Sequence, residues 1–270
     1  MSMMGLGLSL TNMCYDRLAP IDTSEQCWEF DGSDEYISKA AHDSVFNHSS
    51  GGNSKFSISF WIKTSTTSYD CLVARNSYGK GSGASLKKDW AINLVGFTNI
   101  IVVDIYDTVA RANLSNVTDT VTLTDGNWHH LVVTYDGEES TAADRLTVYI
   151  NGVEQNKANH HASNPAAIDA EEPGFVIGAY YADNATLPYE GKTDEVFYVN
   201  RYVLSQAQVT WLYSNGITHD LSLFLPAETR AYYKMGDGDG TGSNNVLDSA
   251  GTNHLTTTNM ESGDIKNDAP

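Results

Sequence analysis

Paired carboxyl groups are the side chains in this sequence most suited to catalysis, but their spacing does not support it. Glycoside hydrolysis uses two carboxyl groups that flank the scissile bond. Asp194 and Glu195 are adjacent, as are Glu138 and Glu139, so each pair would point to opposite faces of an extended strand. A further acidic group at 169–172 falls in a polar connection, and no Gly-x-Ser-x-Gly elbow or phosphate loop occurs. We therefore predict that the protein is not an enzyme.

A glycine-rich acidic stretch at 237–248 offers the ligand types that calcium prefers, because this ion takes roughly six to eight oxygen ligands. Asp237, Asp239, Gly242 and Asp248 fall on positions 1, 3, 6 and 12 of an EF-hand loop. No helical pattern flanks the stretch, and the last position is Asp where an EF-hand has a bidentate Glu. A turn rich in Asp and Gly is the simpler interpretation, so Asp237 and Asp239 are the weaker metal candidates.

Aromatic side chains near residue 180 form a candidate glycan-binding rim, because an aromatic ring offers a sugar an apolar face while polar neighbours add hydrogen bonds. The predicted rim, beside the 181–190 loop, consists of Tyr180, Tyr181, Asp183, Asn184 and Tyr189. Tyr78, in the glycine-rich 76–85 region, could join it. Tyr and Asn are also common in the surface loops of β-rich proteins, so ordinary loop residues are the alternative interpretation.

The charge balance excludes one class of partner. The 270-residue chain carries 16 basic and 34 acidic side chains, which gives a formal net charge of −18. Nucleic-acid binding needs clustered Lys and Arg to contact phosphates, so we expect no nucleic-acid partner. Excess negative charge instead favours solubility and suits a saline medium or cation binding.

Cysteine usage and the N-terminus bear on where the protein is made. Cys14, Cys27 and Cys71 are too few for a disulfide framework; they are either free buried thiols or one bridge with a leftover thiol. Residues 1–14 contain a short apolar run without a basic region or a cleavage site, which makes a poor signal peptide. No apolar run reaches the roughly 18 residues that span a membrane. We therefore predict synthesis in a reducing cytoplasm and no membrane partner.

Several stretches alternate apolar and polar residues with a period of two, which is typical of strands that bury one face. The faces that we assign to the core are those of Phe56, Ile58, Phe60 and Ile62, of Leu131, Val133 and Tyr135, and of Leu146, Val148 and Ile150. Asn151-Gly152 follows as a tight hairpin turn. The continuous apolar run at 100–103 predicts instead a strand buried on both faces.

One short helix is predicted at 205–215. Ser205 as the N-cap and Gln208 three residues later form a capping box. Apolar residues then recur at helical spacing on one face, and Gly216 supplies the stop that commonly ends a helix. This pattern indicates a surface helix of about three turns.

Five stretches resemble a known family. They are 28–37 (WEFDGSDEYI), 56–62 (FSISFWI), 126–137 (GNWHHLVVTYDG), 149–152 (YING) and 191–201 (GKTDEVFYVNR). These motifs are similar to those of laminin-G-like jelly rolls in the concanavalin A-like lectin/glucanase superfamily. The resemblance implies an all-β fold, an antiparallel jelly-roll β-sandwich of about a dozen strands, with one short surface helix. A shared scaffold does not transmit an activity, because this superfamily includes lectins, glycosidases, adhesion modules and viral coat components.

The resemblance also implies a structural calcium ion. Relatives often hold one between the early Asp-Gly turn and the late strand with the Asp-Glu-Val motif. At the matching positions of this sequence, Asp31 and Asp194 would be ligands, with a backbone carbonyl near Gly32. The alternative is that both carboxylates make turn and strand hydrogen bonds without a metal.

The C-terminal part determines how we divide the chain. Residues 231–242 and 246–255 resemble the opening segment of a laminin-G-like jelly roll, although here they follow the domain. Either a second repeat is truncated, or C-terminal strands close the sandwich in a permuted order, which we favour because half a repeat cannot bury its apolar face alone. We predict an N-terminal arm (1–26), a sandwich (27–258) with closing strands at 217–258, and a C-terminal tail (259–270).

The same C-terminal segment also bears on function. Met235–Asp239 (MGDGD) and 258–265 (TNMESGDI) resemble structural proteins of tailed bacteriophages. The resemblance implies a non-enzymatic virion protein, made in the host cytoplasm, that decorates the capsid or belongs to a head or tail fibre. Its partners would be phage coat or tail proteins, further copies of itself, and host-surface glycans. The alternative is a soluble or cell-surface lectin module that binds carbohydrate with the help of calcium.

Overall fold

The protein forms a β-sandwich of two antiparallel sheets. The computed structural model describes residues 23–39, 45–46, 54–78, 87–106, 111–117, 121–155, 165–168, 173–225 and 228–270. These residues hold fifteen strands and one α-helix. The predicted all-β antiparallel sandwich with one short helix is confirmed.

The first sheet contains eight strands. They are β1 (Cys27–Asp31), β3 (Lys55–Lys63), β8 (Trp128–Asp136), β9 (Leu146–Ile150), β10 (Val153–Glu154), β12 (Glu190–Asn200), β13 (Arg230–Tyr233) and β15 (Ile265–Lys266). Their order is β10-β9-β8-β3-β12-β1-β15, and β13 also pairs with β12.

The second sheet contains seven strands, in the order β14-β2-β11-β4-β5-β6-β7. They are β2 (Tyr36–Lys39), β4 (Tyr69–Ser77), β5 (Lys87–Val95), β6 (Ile100–Tyr106), β7 (Arg111–Val117), β11 (Phe175–Ile177) and β14 (Thr256–Thr258). Because β13 and β14 belong to different sheets, the C-terminal segment contributes to both layers.

The core between the sheets is built from the alternating side chains that the sequence assigned to it. Those of β3, β8 and β9 are at most 1% exposed. Phe56 stacks on Trp90 of the opposite sheet, with ring centroids 5.0 Å apart. The turn after β9 is also confirmed: Asn151 and Gly152 have φ angles of 50° and 78°, as a type I′ turn requires.

The apolar run in β6 differs from its prediction. Ile101, Val103 and Ile105 are fully buried, whereas Ile100 and Val102 are only partly buried. The run 100–103 therefore alternates and the prediction from it was wrong, whereas residues 103–106 are buried on both faces. The apolar residues at alternate positions face the core, while Asp104 belongs to the opposite, outer face.

The helix α1 (Gln206–Asn215) covers the outer face of the first sheet. Its predicted capping box is confirmed, since the Ser205 hydroxyl accepts from the Gln208 backbone and the Gln208 side chain accepts from the Ser205 backbone. Gly216 does not stop the helix by a left-handed turn. It keeps right-handed angles of −55° and −41° and continues into a 3-10 turn, Gly216–Thr218. Within the described residues, no helix has the length and apolar character that crossing a bilayer requires.

β12 pairs with two strands in succession along one edge. Its first part, 190–193, pairs with β1, and 196–199 pairs with β13, while β3 lines the other edge. The end of β13 at Tyr233 and the start of β1 at Cys27 therefore meet end to end. We call this junction the seam. A bulge in β12 between Asp194 and Phe197 lies at the seam.

The predicted C-terminal tail, residues 259–270, is part of the sandwich. Met260 is buried in the main core, and β15 pairs with β1. Asp268 forms ion pairs with Lys63 of β3 and Lys192 of β12. The sandwich thus extends beyond the predicted boundary at 258. Residues 1–22 of the predicted arm lie outside the described residues, while Ser24 is bonded to the sandwich through Ile217 and Asp194.

Two cysteines are buried free thiols, Cys27 and Cys71. Burial raises the pKa of the Cys27 thiol to about 12, so this side chain is uncharged at neutral pH. Cys14 lies outside the described residues.

The placement of the C-terminus makes a prediction about stability. Deleting residues 259–270 removes Met260 from the core and one edge strand from the first sheet. We expect the free energy of unfolding to fall by at least about 2 kcal/mol, as for other large deletions in a core. Chemical denaturation measures the change. Met260→Leu, which conserves volume, should cost less than about 1.5 kcal/mol. A truncated protein as stable as the full chain would show that the segment is a dispensable tail.

Candidate functional site

The alternation of β5 and β6 places polar side chains on the outer face of the second sheet. In β5, Trp90 and Ile92 point into the core, so Asn93 and Ala91 belong to the outer face. In β6 the outer positions are those of Asp104 and Tyr106. No described helix packs on this sheet, and the loop after β11 covers part of this face instead.

The loop after β11 carries two tyrosines onto the same face. Gly178 begins it with a φ of +84°, and a Cβ there would lie 2.5 Å from the Phe30 ring, so only glycine fits. The loop is fixed to β4 at two points: Ala182 N donates to Asn76 O, and Cys71 N donates to Leu187 O. Just before the first of these points, Tyr180 and Tyr181 pack against the outer face.

Four tyrosines form the centre of the site, and we call them the tyrosine cluster: Tyr78, Tyr106, Tyr180 and Tyr181. The rings of Tyr180 and Tyr181 meet edge to face with centroids 4.8 Å apart, and Tyr78 meets Tyr181 in the same way at 5.4 Å. The Tyr106 and Tyr180 hydroxyl groups are hydrogen-bonded to each other. Tyr78 is 50% exposed, whereas Tyr106, Tyr180 and Tyr181 are 8%, 8% and 7% exposed, so the cluster reaches solvent through Tyr78.

Lys88 of β5 lies over three rings of the cluster. Its ammonium is 5.2 Å from the Tyr106 centroid, 5.1 Å from Tyr180 and 5.7 Å from Tyr181. Distances below about 6 Å allow cation–π attraction. The rings therefore hold a positive charge at the cluster in a protein that is strongly acidic overall.

A polar pair lies next to the cluster. The Asn93 amide donates to Asp104 Oδ2 at 3.0 Å, and both side chains are buried. Burial raises the pKa of Asp104 to about 6, and the side chains of Asn93, Tyr106 and Lys88 offset it only in part. The site therefore offers the exposed ring of Tyr78 beside Lys88, with the Asn93–Asp104 pair buried beneath it.

The structure brings together four of the five residues predicted for the glycan rim. Tyr180 and Tyr181 belong to the cluster. Asp183 Oδ1 accepts from the Tyr78 backbone at 2.7 Å and so holds Tyr78 beside the loop. Asn184 closes the loop's tight turn by pairing with Tyr181, and its side chain accepts from Thr186.

The assignment of Tyr189 to the rim is corrected by its burial. The side chain is fully buried in the main core, and its hydroxyl donates to the backbone oxygen of Lys192 at 3.0 Å. It also packs on Phe30 with ring centroids 5.8 Å apart. The chain has returned to the core by this point, so the ring face of Tyr189 is not available to a sugar.

The predicted calcium pair Asp31 and Asp194 does not converge. Asp31 lies opposite Glu190, and Asp194 is four residues further along β12, which corresponds to about 13 Å in an extended strand. Both oxygens of Asp194 are already hydrogen-bonded, to the Ser24 hydroxyl at 2.9 Å and the Glu195 backbone at 2.8 Å. The two carboxylates therefore do not fit a shared calcium ion.

Asp31 lines a different feature. It borders a cavity of about 360 Å³ together with Glu35, Glu190, Lys63 and Lys192, among others. Burial raises the pKa of Glu35 to about 7, and the Asp31 backbone donates to its carboxylate. This mixed-charge cavity lies at the end of β1.

The EF-hand-like stretch is a set of turns. Asp239 accepts from Trp28 Nε1 and Gly236 N through one oxygen and from Leu247 N through the other. Asp237 accepts from Glu25 N. These carboxylates fix the seam, in agreement with the turn interpretation. Among the described residues, no three His, Cys, Asp or Glu side chains converge as a metal site requires.

Sequence reasoning missed Lys88, Asn93, Asp104 and Tyr106. The alternation of β5 and β6 contained the signal for Asn93 and Asp104, since each follows a core residue. Because we interpreted 100–103 as a strand buried on both faces, we did not use the alternation of β6 to assign Asp104 to the outer face. Strict alternation from Trp90 would place Lys88 in the core, but a bulge in β5 at Asp89 changes the face of Lys88, and no local pattern predicts this bulge.

Comparison with known proteins agrees with this architecture. Residues 31–210 match the Laminin_G_3 family model of the concanavalin A-like lectin/glucanases superfamily. The match spans more than half of the chain, so the protein belongs to this superfamily, as the motifs indicated. No curated protein matches the sequence.

Several solved structures are similar at low identity. The native heptameric SAP-like pentraxin from Limulus polyphemus is 12% identical over 72% of this chain and 84% of that one, with a TM-score of 0.49. Mouse laminin α1 domains LG4-5 are 14% identical over 65% and 41%, with a TM-score of 0.42. The Ruminococcus gnavus IT-sialidase CBM40 is 13% identical over 70% and 97%, with a TM-score of 0.43. These likenesses concern the fold alone.

Asp194 gives a test of the calcium prediction. Burial, and then the charge of Glu195, raise the pKa of Asp194 well above its usual range, so the folded protein favours the protonated form. The contribution of Asp194 to the free energy of unfolding therefore decreases as the pH rises above the ordinary aspartate pKa. We expect Asp194→Asn, which mimics the protonated form, to unfold at the same or a higher temperature than the parent at pH 8.

The measurement is thermal unfolding with calcium and with a chelator. The parent and the variant should each unfold at the same temperature in both. A calcium-dependent rise in the unfolding temperature that Asp194→Asn abolishes would establish Asp194 as a metal ligand.

Proposed function

We propose that the protein is a non-enzymatic glycan-binding module and that its sugar site is the tyrosine cluster with Lys88. The observation that carries the proposal is the placement of one lysine over three tyrosine rings beside a half-exposed Tyr78. Ligand sites combine apolar faces with a few well-placed polar groups, and sugars have both apolar ring faces and many hydroxyl groups. Membership of a superfamily that includes lectins supports the same conclusion.

The non-enzymatic part of the proposal rests on the carboxylates. Asp194 and Glu195 are 0% and 3% exposed, and Glu195 is hydrogen-bonded to Tyr232, so neither can flank a bound sugar. At the tyrosine cluster, Asp183 is already bonded to the Tyr78 backbone. These features support binding without bond cleavage.

The test uses a glycan array followed by calorimetry with the tightest-binding glycan. Tyr78→Ala should weaken binding at least about tenfold, equivalent to about 1.4 kcal/mol, because it removes the most exposed ring of the cluster. The matched control is Phe97→Ala. Phe97 is 70% exposed and lies in the turn between β5 and β6, at the other end of these strands from Lys88. Equal losses in both variants, or an array without hits, would refute the proposed site.

Calcium-assisted binding stays a prediction. The array should be run with calcium and with a chelator, because this comparison distinguishes a calcium-dependent lectin from a site that uses only its own side chains. Hits that require calcium would contradict the site as described, since its cation is Lys88.

A second candidate function is that of a structural or adhesion protein of a tailed-bacteriophage virion, on the capsid or on a head or tail fibre. What supports it is the resemblance of residues 235–239 and 258–265 to such proteins. The two functions are compatible, because a virion protein can bind host-surface glycans. Partners would then be coat or tail proteins and further copies of the chain.

Mass spectrometry of purified source particles tests this candidate. Hundreds of copies per particle would indicate a decoration protein, and a handful would favour adhesion at the tail. Absence of the chain from particles would refute the virion function and leave the lectin function in place. Light scattering of the purified protein gives the oligomeric state.

A further inference from the structure

The Asn93–Asp104 pair leaves two buried oxygens without donors. Asn93 is fully buried and Asp104 is 4% exposed. The Asn93 amide nitrogen donates to Asp104 Oδ2 at 3.0 Å. Among the described residues no donor reaches the other oxygen of either side chain, Asn93 Oδ1 or Asp104 Oδ1. Buried oxygens without donors destabilise the folded state.

One proton would satisfy both oxygens. An O–H on Asp104 Oδ1 can donate to Asn93 Oδ1 while the Asn93 amide continues to donate to Asp104 Oδ2. The result is a cyclic carboxylic acid–amide pair with two parallel hydrogen bonds. The proton comes from solvent, one O–H bond forms, and no other covalent bond changes.

We propose that Asp104 and Asn93 form this proton-sharing pair and that its protonation controls ligand binding at the tyrosine cluster. The first half of the proposal concerns the pair alone, and the second half rests on the proposed glycan function.

The surroundings of Asp104 favour the protonated form. Burial raises its pKa to about 6, so the proton is exchanged in a mildly acidic range. Its charge raises the pKa of four neighbouring acidic groups: Tyr69 and Cys71 on β4, Tyr106 on β6 and Tyr180 in the loop after β11. On β7, Asn113 lies opposite Asp104 and Arg111 opposite Tyr106 in the register, and on β5 Lys88 lowers the pKa of Asp104.

The pair is connected to the cluster through groups already described. The Tyr106 hydroxyl and the Lys88 ammonium both favour the ionised form of Asp104, and Tyr106 is hydrogen-bonded to Tyr180. When Asp104 is ionised, it attracts these donors. When it is protonated, its charge is gone and Asp104 no longer competes with the oxygens of a ligand for the Tyr106 hydroxyl. Binding should therefore be tighter at mildly acidic pH than at neutral pH.

The first experiment needs no ligand. Carbon-13 NMR follows the carboxyl carbon of Asp104, which is assigned by its loss in Asp104→Asn. We expect a single titration centred at about pH 6. A pKa in the ordinary aspartate range or below would overturn the proton-sharing pair.

Thermal unfolding provides an independent measurement. Since the folded state holds an extra proton between the unfolded pKa of about 4 and the folded one, the parent loses stability as the pH rises through this range. Asp104→Asn reproduces both hydrogen bonds with an amide and cannot ionise. Its unfolding temperature should match the parent at about pH 4 and exceed it at about pH 7.5. A difference that does not change with pH would contradict the proposal.

Two further variants serve as controls. Asp104→Leu cannot make either hydrogen bond, so it should unfold below Asp104→Asn at every pH. Asp34→Asn removes one charge from an exposed position, and its difference from the parent should not grow across the same pH range. If Asp34→Asn reproduced the behaviour of Asp104→Asn, the effect would be one of overall charge, and the pair would be refuted.

The binding measurement uses the tightest array glycan at about pH 5 and about pH 7.5. The parent should bind at least about threefold more tightly at the lower pH, whereas Asp104→Asn should bind equally at both, as expected when one protonation controls affinity. Parallel pH dependence in both proteins would refute the control of binding while leaving the titration result intact. A protein that binds no glycan would refute the proposed function, and the NMR and unfolding results then decide the pair by themselves.

Discussion

The backbone of β12 must be hydrogen-bonded along both edges, and the rest of the structure depends on how this is achieved. One edge is satisfied by β3 over nearly its full length. The other is satisfied by β1 and β13, which come from distant parts of the chain. An unpaired buried amide is costly, so both parts must be in place for the first sheet to be complete. The carboxylates of Asp194, Asp237 and Asp239 fix the junction by accepting hydrogen bonds from the chain around it.

The two outer faces of the sandwich have become chemically different. The first sheet is covered by α1 and the turns that follow, which bury Trp211, Leu212 and Phe224 against it. Even its buried histidine is inert as a cation, because burial lowers the pKa of His130 to about 3. The second sheet has a loop instead of a helix, and small residues such as Ala74 and Ala91 allow the tyrosines of that loop to pack closely. One face is thus covered by a helix, and the other by the tyrosines of the loop after β11.

The sequence predicted those features that depend on neighbours along the chain. Alternation identified the core faces of β3, β8 and β9, and the capping box at Ser205 located the helix. Features that depend on irregular backbone were not predictable. A bulge in β4 at Leu72 and another in β5 at Asp89, opposite Arg75 and Asn76, change which residues face outward. Likewise, in the loop after β11 Tyr181 packs on the outer face and Tyr189 packs in the core, although the sequence predicted both for one aromatic rim.

The seam has a consequence for how such a domain can be assembled by evolution. β13 and β1 run in the same direction along β12, and Gly236 packs so closely on Cys27 that a Cβ there would come within 3.0 Å of its backbone nitrogen. A chain that passed directly from β13 into β1 could make the same ladder of hydrogen bonds in one continuous strand. The sandwich therefore fixes where each segment lies in space but not its order in the gene. Relatives that begin with the segment found here at the C-terminus can share this architecture without repacking its core.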